Sequence, residues 1–312
     1  MENSLSTRFV DVLGRIAYAL FRLFGWKFVT LTGALVGDFV YYFNKKKRDR
    51  ARREIAKLFG DAFESRRLIY ITKRSFLNHY MRQVETLYFG ALTKKKIDQI
   101  MQVEGLENLN KAMSKGRGVV LLLSHFGSFL LPLPYLGYRG YRINQVTGIQ
   151  RHGSRFSEKV WEWRRREASK LPVKFIQVGK ILRPMYEVLG KNEILAIAFD
   201  GRDGSKWVPV KFFAGKALFS SGVFELARRT GAVIIPTFVV RDGRNCHKLI
   251  LEQPFRLSNE ADGKRGATID TKNFARIFAE YVNKYPCHFG MVLCQLKEAE
   301  LKGESTPFFV EK

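Results

Sequence analysis

The feature that most constrains the fold is a run of five apolar residues, Val119 to Leu123, which contains no charge. Such a run is typical of a strand buried on both faces, as in a parallel sheet. Ser124 and His125 follow it directly, and Gly127 provides a turn. Functional residues of open α/β sheets lie beyond the carboxyl ends of strands, so His125 occupies a position suited to chemistry. A histidine that only packs fits this position equally well.

Strands and helices alternate along the rest of the chain. Apolar runs at 194–199 and 233–240 predict buried strands, and helical patterns occupy 220–230 and 273–284. Strands separated by helical lengths pair in parallel. The sequence therefore predicts an α/β fold with a mostly parallel central sheet flanked by helices.

The first 60 residues have the pattern of a membrane-associated helical segment. Residues 5–24 form a helical pattern that is apolar over most of its circumference, which requires burial in a core or in lipid. The apolar run 28–43 ends in three aromatic residues, Tyr41 to Phe43, but is shorter than the roughly 20 residues of a membrane span.

A polybasic segment, 45–57, follows the aromatic end of this run. Aromatic residues beside basic ones match a membrane interface with anionic headgroups, and the basic side is expected to face the cytoplasm. A core helix followed by a solvated basic helix is the alternative. We predict membrane-binding helices and a polybasic segment over 1–60 and an α/β domain over 61–312.

The charge balance indicates a polyanionic partner. Lysine and arginine number 54 against 29 acidic residues, a net charge of +25. Nucleic acid, an anionic membrane and an acidic protein all fit such a charge. Nucleic acid is disfavoured, because the basic residues follow apolar helices and no recognition motif is present.

The three cysteines, Cys246, Cys287 and Cys294, predict neither a metal centre nor a disulfide framework. Their spacing, with or without His288, matches no zinc template. Unpaired thiols are the simpler interpretation.

Two further stretches follow strand patterns. Asp200-Gly201-Arg202-Asp203-Gly204 comes directly after 194–199, and Arg202 offers a forked donor for phosphate or carboxylate. A simple Asp-Gly turn is the alternative for this stretch. Residues 208–217 form a predicted apolar loop with spaced lysines, which suits an acyl chain, a bilayer or plain core packing.

Together these stretches resemble the bacterial lipid A late acyltransferase family (lauroyl- and myristoyl-transferases) of the lysophospholipid acyltransferase superfamily. The resemblance covers nearly the whole chain and is specific because many pieces occur in the family's order. The pieces that carry it include Gly116 to Val120, Ser124 to Gly127, Asp200 to Gly204, Phe212 to Gly215, and Leu226 to Ala232.

The resemblance implies an activity and a set of site residues. The chain would move a fatty acyl group from an acyl carrier protein or CoA thioester to a lipid acceptor, a lipid A precursor or a lysophospholipid-like molecule. His125 would be the general base, and substrate-binding residues would be Arg165, Asp200, Arg202 and Asp203. Arg202, with some of Arg164 to Arg166, would hold an acceptor phosphate. No cofactor or metal is implied, because the thioester is already activated. The expected location is the cytoplasmic face of the bacterial inner membrane, bound to anionic lipids.

One position departs from the family pattern. The family motif places Asp or Glu five positions after the histidine, where this chain has Leu130. Another carboxylate, such as Asp200, Asp203 or Glu85, is one replacement, and a histidine that works slowly alone is a second possibility. The third is a catalytically inactive relative that binds acyl or lipid ligands. The acceptor lipid, the acyl length and the oligomeric state are not predicted.

Overall fold

The computed structural model of the chain describes residues 3–148, 155–177, 182–243, 245–260 and 262–310. It confirms the predicted α/β class, with a mostly parallel seven-stranded sheet between layers of helices. The strands are β1 Met101–Glu104, β2 Val119–Leu123, β3 Ile143–Thr147, β4 Val173–Gln177, β5 Ile194–Ala198, β6 Trp207–Phe212, β7 Gly215–Ser220, β8 Val233–Asp242 and β9 Cys246–Leu251. The α-helices are α1 Asn3–Phe43, α2 Lys45–Phe59, α3 Ser65–Leu87, α4 Lys94–Ile100, α5 Leu106–Met113, α6 Pro132–Gly137, α7 Arg155–Ala168, α8 Arg183–Gly190, α9 Gly222–Thr230, α10 Gly263–Lys284 and α11 Gly290–Leu301.

The central position of β2 explains its apolar sequence. The sheet order is β1-β9-β8-β2-β5-β3-β4, so β2 has a parallel strand on each side. Val120 and Leu122 pack into the core on one face, and Leu121 and Leu123 pack into the core on the other. A strand with both faces buried has no position for a polar side chain.

Two parts of the sheet pairing differ from the simple prediction. β9 runs antiparallel to β8, because the two strands are joined by a short turn, and parallel to β1. The prediction of a loop over 208–217 is wrong, because these residues form most of an antiparallel hairpin of β6 and β7. Buried Val208 and Val210 alternate with exposed Lys211 and Pro209, a period-two pattern that belongs to a strand.

A cluster of phenylalanines anchors the hairpin and α10 beneath the sheet. The ring of Phe199, the residue after β5, stacks on that of Phe219 with centroids 4.5 Å apart, and Phe212 stacks on Phe278 at 5.6 Å. All four side chains are fully buried. Burying each such side chain stabilises the fold by about 1.5–3 kcal/mol relative to exposure. Because Phe199 lies between β5 and Asp200, this packing fixes the backbone directly before Asp200.

The N-terminal helix α1 bends at Gly25, whose φ of 72° lies in the left-handed region. Its second half runs along α3 with little separation between the two backbones. A Cβ atom on Gly33 would lie 2.4 Å from the Met81 Cα atom, and one on Gly37 would lie 2.9 Å from the Leu77 Cα atom. Glycine is therefore required at both positions.

The opposite face of α1 is apolar and exposed. Leu35, Phe39 and Phe43 on this face are each more than 60% exposed. The segment Gly14–Phe43 is long and apolar enough to cross a membrane by length and composition. The predicted division into 1–60 and 61–312 stays a prediction, because α1 and α2 both pack against the rest of the chain.

Candidate active site

His125 and Asp200 form a hydrogen-bonded pair just beyond the carboxyl ends of two central strands, β2 and β5. The His125 Nδ1 atom lies 3.0 Å from the Asp200 Oδ1 atom, which also accepts the His125 backbone N–H at 2.9 Å. The same carboxylate oxygen therefore fixes both the loop and the ring. Asp200 is completely buried, while the His125 side chain is 40% exposed.

The register of two parallel strands brings this pair together. Leu123 of β2 is paired with Ala198 of β5, and each strand ends at that residue. The Phe199 N–H donates to the Leu123 carbonyl at 2.7 Å and extends the ladder by one bond. His125 and Asp200 each stand two positions beyond these ends, so parallel pairing places them side by side.

The pair has the electrostatics of an ionised carboxylate and an oriented imidazole. Burial opposes ionisation of Asp200, but the charge of the His125 ring and the two hydrogen bonds from His125 lower the pKa of this carboxyl below its ordinary value. A carboxylate acceptor assigns the imidazole proton to Nδ1. Nε2, on the exposed side of the ring, then carries the lone pair and can accept a proton.

Arg202 contacts the backbone of Asp200. Its Nε atom donates to the Asp200 backbone carbonyl at 3.2 Å, and its guanidinium lies 5.0 Å from the ring centres of both Trp207 and Phe308. Burial lowers the pKa of Arg202 to about 10. The Nη2 atom is buried and has no hydrogen-bond partner within the described part of the chain. Arg202 is thus a cation beside the pair, and its Nη2 group can still donate hydrogen bonds.

The other predicted substrate-binding residues lie apart from this pair. Asp203 is exposed in the turn after Asp200, with its carboxylate near Gly148. Arg165 is exposed on α7, where its guanidinium lies 5.6 Å from the Trp161 ring centre and lines an open cavity of about 510 Å³. Their roles in substrate binding stay predictions.

Leu130, at the position of the expected carboxylate, is half-buried and packs with the apolar core on the α1 side of the sheet. The imidazole of His125 instead meets a carboxylate from the neighbouring strand. Of the three carboxylates considered as replacements, Asp200 is the one that contacts His125.

Glu85 has a different position, beneath the loop that carries His125. Its carboxylate accepts a hydrogen bond from the Ser128 hydroxyl at 3.1 Å and pairs with the Arg241 Nη2 atom at 2.5 Å. Burial would raise the pKa of Glu85, but Arg241 and His247 lower it to about 2. The buried ion pair holds the turn after His125 in place.

Two further arginines lie near the pair: Arg82, which was not predicted from the sequence, and half-buried Arg164, which belongs to the predicted run Arg164 to Arg166 and lies near Arg82. Arg82 of α3 donates to the Gly127 carbonyl at 3.4 Å, and its guanidinium lies 5.3 Å from the ring centre of Phe129. Arg164 of α7 donates to the Gln83 carbonyl at 3.1 Å. Burial lowers the pKa of each to about 10, and neither forms an ion pair with the residues described.

A sequence signal for Arg82 does exist. His79, Arg82 and Glu85 recur at intervals of three on a helix whose core-facing residues have the same spacing. Polar residues on a buried helix face are uncommon and usually bind one another or a ligand. Arg82 indeed contacts His79, with their nitrogens 3.2 Å apart.

Within the ranges that the structure describes, no three histidine, cysteine, aspartate or glutamate side chains are grouped to hold a metal ion. The expectation of a reaction without metal or cofactor stays a prediction. The three cysteines are unpaired, as expected.

Comparison with known proteins identifies relatives of this chain. Among curated relatives, the lipid A biosynthesis palmitoleoyltransferase of Escherichia coli K12 is 26% identical over 221 residues, which are 67% of this chain and 66% of the relative. The lipid A biosynthesis acyltransferase of Shigella flexneri gives the same values. The Escherichia coli K12 lipid A biosynthesis lauroyltransferase is 26% identical over 230 residues, 71% of each chain. The match thus spans just under two thirds of the length of the first two relatives.

A family model decides the assignment, because it covers almost the whole sequence rather than one motif. The model described as bacterial lipid A biosynthesis acyltransferase matches residues 2–298, which include both strand ends that carry His125 and Asp200. The chain therefore belongs to the bacterial lipid A biosynthesis acyltransferase family.

Proposed function

We propose that this chain is a membrane-associated acyltransferase that transfers a fatty acyl group from an acyl carrier protein or CoA thioester to a hydroxyl group of a lipid A precursor. The observation that carries the proposal is the hydrogen-bonded pair of His125 and Asp200 beyond the ends of β2 and β5. Family membership and the printed activities of the relatives support the same reaction class.

In the proposed mechanism His125 acts as general base through Nε2. It takes the proton of the acceptor hydroxyl while that oxygen attacks the thioester carbonyl, and the tetrahedral intermediate collapses with cleavage of the carbon–sulfur bond. The thiolate then takes the proton from the imidazolium, so the products are an ester and a free thiol. A positioned base of this kind contributes roughly 10²–10⁴-fold to the rate.

Asp200 is the positioning residue in this mechanism. It keeps the proton on Nδ1, aims Nε2 at the acceptor and stabilises the imidazolium that forms during transfer. Its lowered pKa means that it remains a carboxylate at neutral pH. Asp200 thus takes the role that the family pattern assigns to the position of Leu130, in place of the substrate contact predicted from the sequence.

The acceptor's anionic groups would be held by cations next to the pair. Arg202 has a buried donor group without a partner among the described residues, Arg82 brings a buried positive charge to the loop after His125, and Arg164 lies near Arg82. Buried guanidinium groups that lack a carboxylate partner favour binding of an anion. Arg165 and Asp203 would contact more distant parts of the substrates.

The proposed location is the cytoplasmic face of the bacterial inner membrane. The exposed apolar face of α1 and the basic start of α2 fit an anionic bilayer surface. The net charge of +25 also suits an acidic acyl carrier protein as donor.

Leu130 favours a second candidate, a catalytically inactive relative that binds acyl or lipid ligands. Both candidates bind the same molecules, so only turnover separates them. The decisive measurement is transfer of a labelled acyl group from acyl carrier protein to membrane lipids, together with mass spectrometry of lipids from cells with and without the gene.

The first candidate requires transfer by the parent chain and its loss in His125→Ala, with Asp61→Asn as a control in an exposed turn. An unchanged lipid profile and no transfer by the parent chain would leave the inactive relative. Full transfer by His125→Ala would exclude the proposed mechanism.

A further inference from the structure

A basic cavity, distinct from the cavity that Arg165 lines, lies next to the loop that follows His125. It has a volume of about 290 Å³ between the first half of α3, the end of α10 and the turn Pro286–His288. Four cationic side chains line it, from Arg67, Arg74, Arg241 and Lys284, and no acidic side chain does. A concave site with this excess of positive charge is complementary to an anion.

Three of the four cations have no carboxylate partner in the part of the chain that the structure describes. Arg241 is bound by buried Glu85, but Arg67, Arg74 and Lys284 form no ion pair with the described residues. Arg67 lies 4.2 Å from the ring centre of Phe63, and the Lys284 Nζ atom lies 5.4 Å from that of Tyr285. These contacts orient the side chains without neutralising them.

The cavity is separate from the pair of His125 and Asp200. Neither His125 nor Asp200 lines it. His288 stands between the two, because its ring stacks on Phe126 with centroids 5.4 Å apart and its backbone carbonyl accepts the Gly127 N–H at 3.3 Å. Arg74 and Arg82 are eight residues apart on α3, which corresponds to about 12 Å along a helix.

The exposed aromatic end of α1 contacts α3 at Lys73, the residue before cavity-lining Arg74. Tyr70 on the rim of the cavity is 61% exposed, and Phe43 at the end of α1 is 76% exposed. Lys73 ties the two helices together here, with its Nζ atom 2.9 Å from the Tyr42 hydroxyl. An apolar surface with exposed aromatic residues beside a basic pocket is the arrangement that meets lipid tails and headgroups together.

The polar lining adds one acceptor to these donors. The Asn78 Nδ2 atom donates to the Cys287 carbonyl at 3.2 Å, while its Oδ1 atom is buried without a partner in the described part of the chain. A phosphate oxygen cannot satisfy this acceptor, but a headgroup hydroxyl can.

We propose that this cavity, lined by Arg67, Arg74 and Lys284, is a phosphate-binding site that takes the headgroup of an anionic phospholipid and seats the protein on the bilayer. The chemistry recognised is a phosphate ester with a neighbouring hydroxyl, as in phosphatidylglycerol. Free inorganic phosphate offers the same charged group, so the experiment separates the two sources.

The test uses the full chain in detergent micelles without acyl donor, so that it does not depend on turnover. Binding of short-chain phosphatidylglycerol and of inorganic phosphate is measured by titration calorimetry, for the parent chain and for the double variant Arg67→Gln/Arg74→Gln. The control double variant Arg66→Gln/Lys115→Gln removes the same net charge from exposed positions outside the cavity. Circular dichroism checks that both variants keep the helical content of the parent.

We expect the parent and the control to bind phosphatidylglycerol, and the cavity variant to bind it at least about tenfold more weakly. Loss of lipid binding identifies a headgroup site, and loss of inorganic phosphate binding alone identifies a free-phosphate site. Unchanged binding of both ligands by the cavity variant would overturn the proposal, as would equal binding of phosphatidylcholine by the parent.

Discussion

His125 and Asp200 meet because they stand at the same distance beyond the ends of two paired parallel strands. Nδ1 of one lies 3.0 Å from Oδ1 of the other, although 75 residues separate them in sequence. The carboxylate thus comes from the neighbouring strand rather than from the loop that follows the histidine.

This relationship predicts the effect of Asp200→Asn. The amide cannot stabilise an imidazolium and can favour the wrong tautomer, so we expect kcat to fall by roughly 10²–10⁴-fold with little change in KM. Steady-state transfer assays across pH check this. Exposed Asp61→Asn serves as control, and an unchanged kcat in Asp200→Asn would rule out the positioning role.

Restoring a carboxylate at position 130 should not raise activity. Leu130 packs among apolar residues and Asp200 already accepts from Nδ1. We expect Leu130→Glu to lower the free energy of unfolding by about 1–3 kcal/mol, because it buries a polar group without a partner. Leu130→Gln is the control, because glutamine has the size of glutamate without its charge. A gain of activity in Leu130→Glu alone would indicate that the parent lacks an orienting carboxylate.

Glu85 should make stability depend on acid pH. Its pKa is lowered from 4.5 to about 2, so its contribution to stability is complete above the unfolded value and is lost as pH falls from about 4.5 to about 2. Glu85→Gln should be less stable than the parent near neutral pH, by about 3–5 kcal/mol, because it removes the carboxylate of a buried ion pair. The difference should shrink below pH 4.5. Thermal unfolding in micelles at several pH values measures this, and a difference independent of pH would contradict it.

The contact between α1 and α3 predicts a strong effect of one methyl group. In Gly33→Ala the new Cβ atom would lie 2.4 Å from a backbone atom of α3, so the helices must separate. We expect a loss of about 1–3 kcal/mol in unfolding free energy. Leu35→Ala on the exposed face should change stability by less than about 0.5 kcal/mol. Equal stability of the two variants would show that the close contact is unimportant.

The fold class was predictable because the apolar runs at Val119 to Leu123 and 194–199 are too long and uniform for exposed strands. The hairpin of β6 and β7 was missed since its alternation is masked by Phe213 and Ala214 in the turn, which extend the apolar run. The apolar residues of a sequence are easily identified, but two strands joined by an apolar turn look like a single apolar segment.

The place of His125 beyond the end of a strand was predictable from the sequence, but its hydrogen-bond partner was not. Asp200 was one of three carboxylates considered, and choosing it requires knowing that β2 pairs with β5. Strand order depends on packing across the whole domain, which no local pattern contains. Arg82 was missed for a related reason, since burial of a helix face is decided by what packs on it.

The glycine contacts of α1 also fix the distance between α1 and α3. Gly33 and Gly37 lock α1 to α3, and Arg82 of α3 binds the loop that carries His125. The outward apolar face of α1 is therefore connected to the loop that carries His125 through close backbone packing and a hydrogen bond. In the proposed membrane-bound state, these contacts would set the distance between the bilayer surface and His125, and with it the height above the surface at which the acceptor hydroxyl must lie.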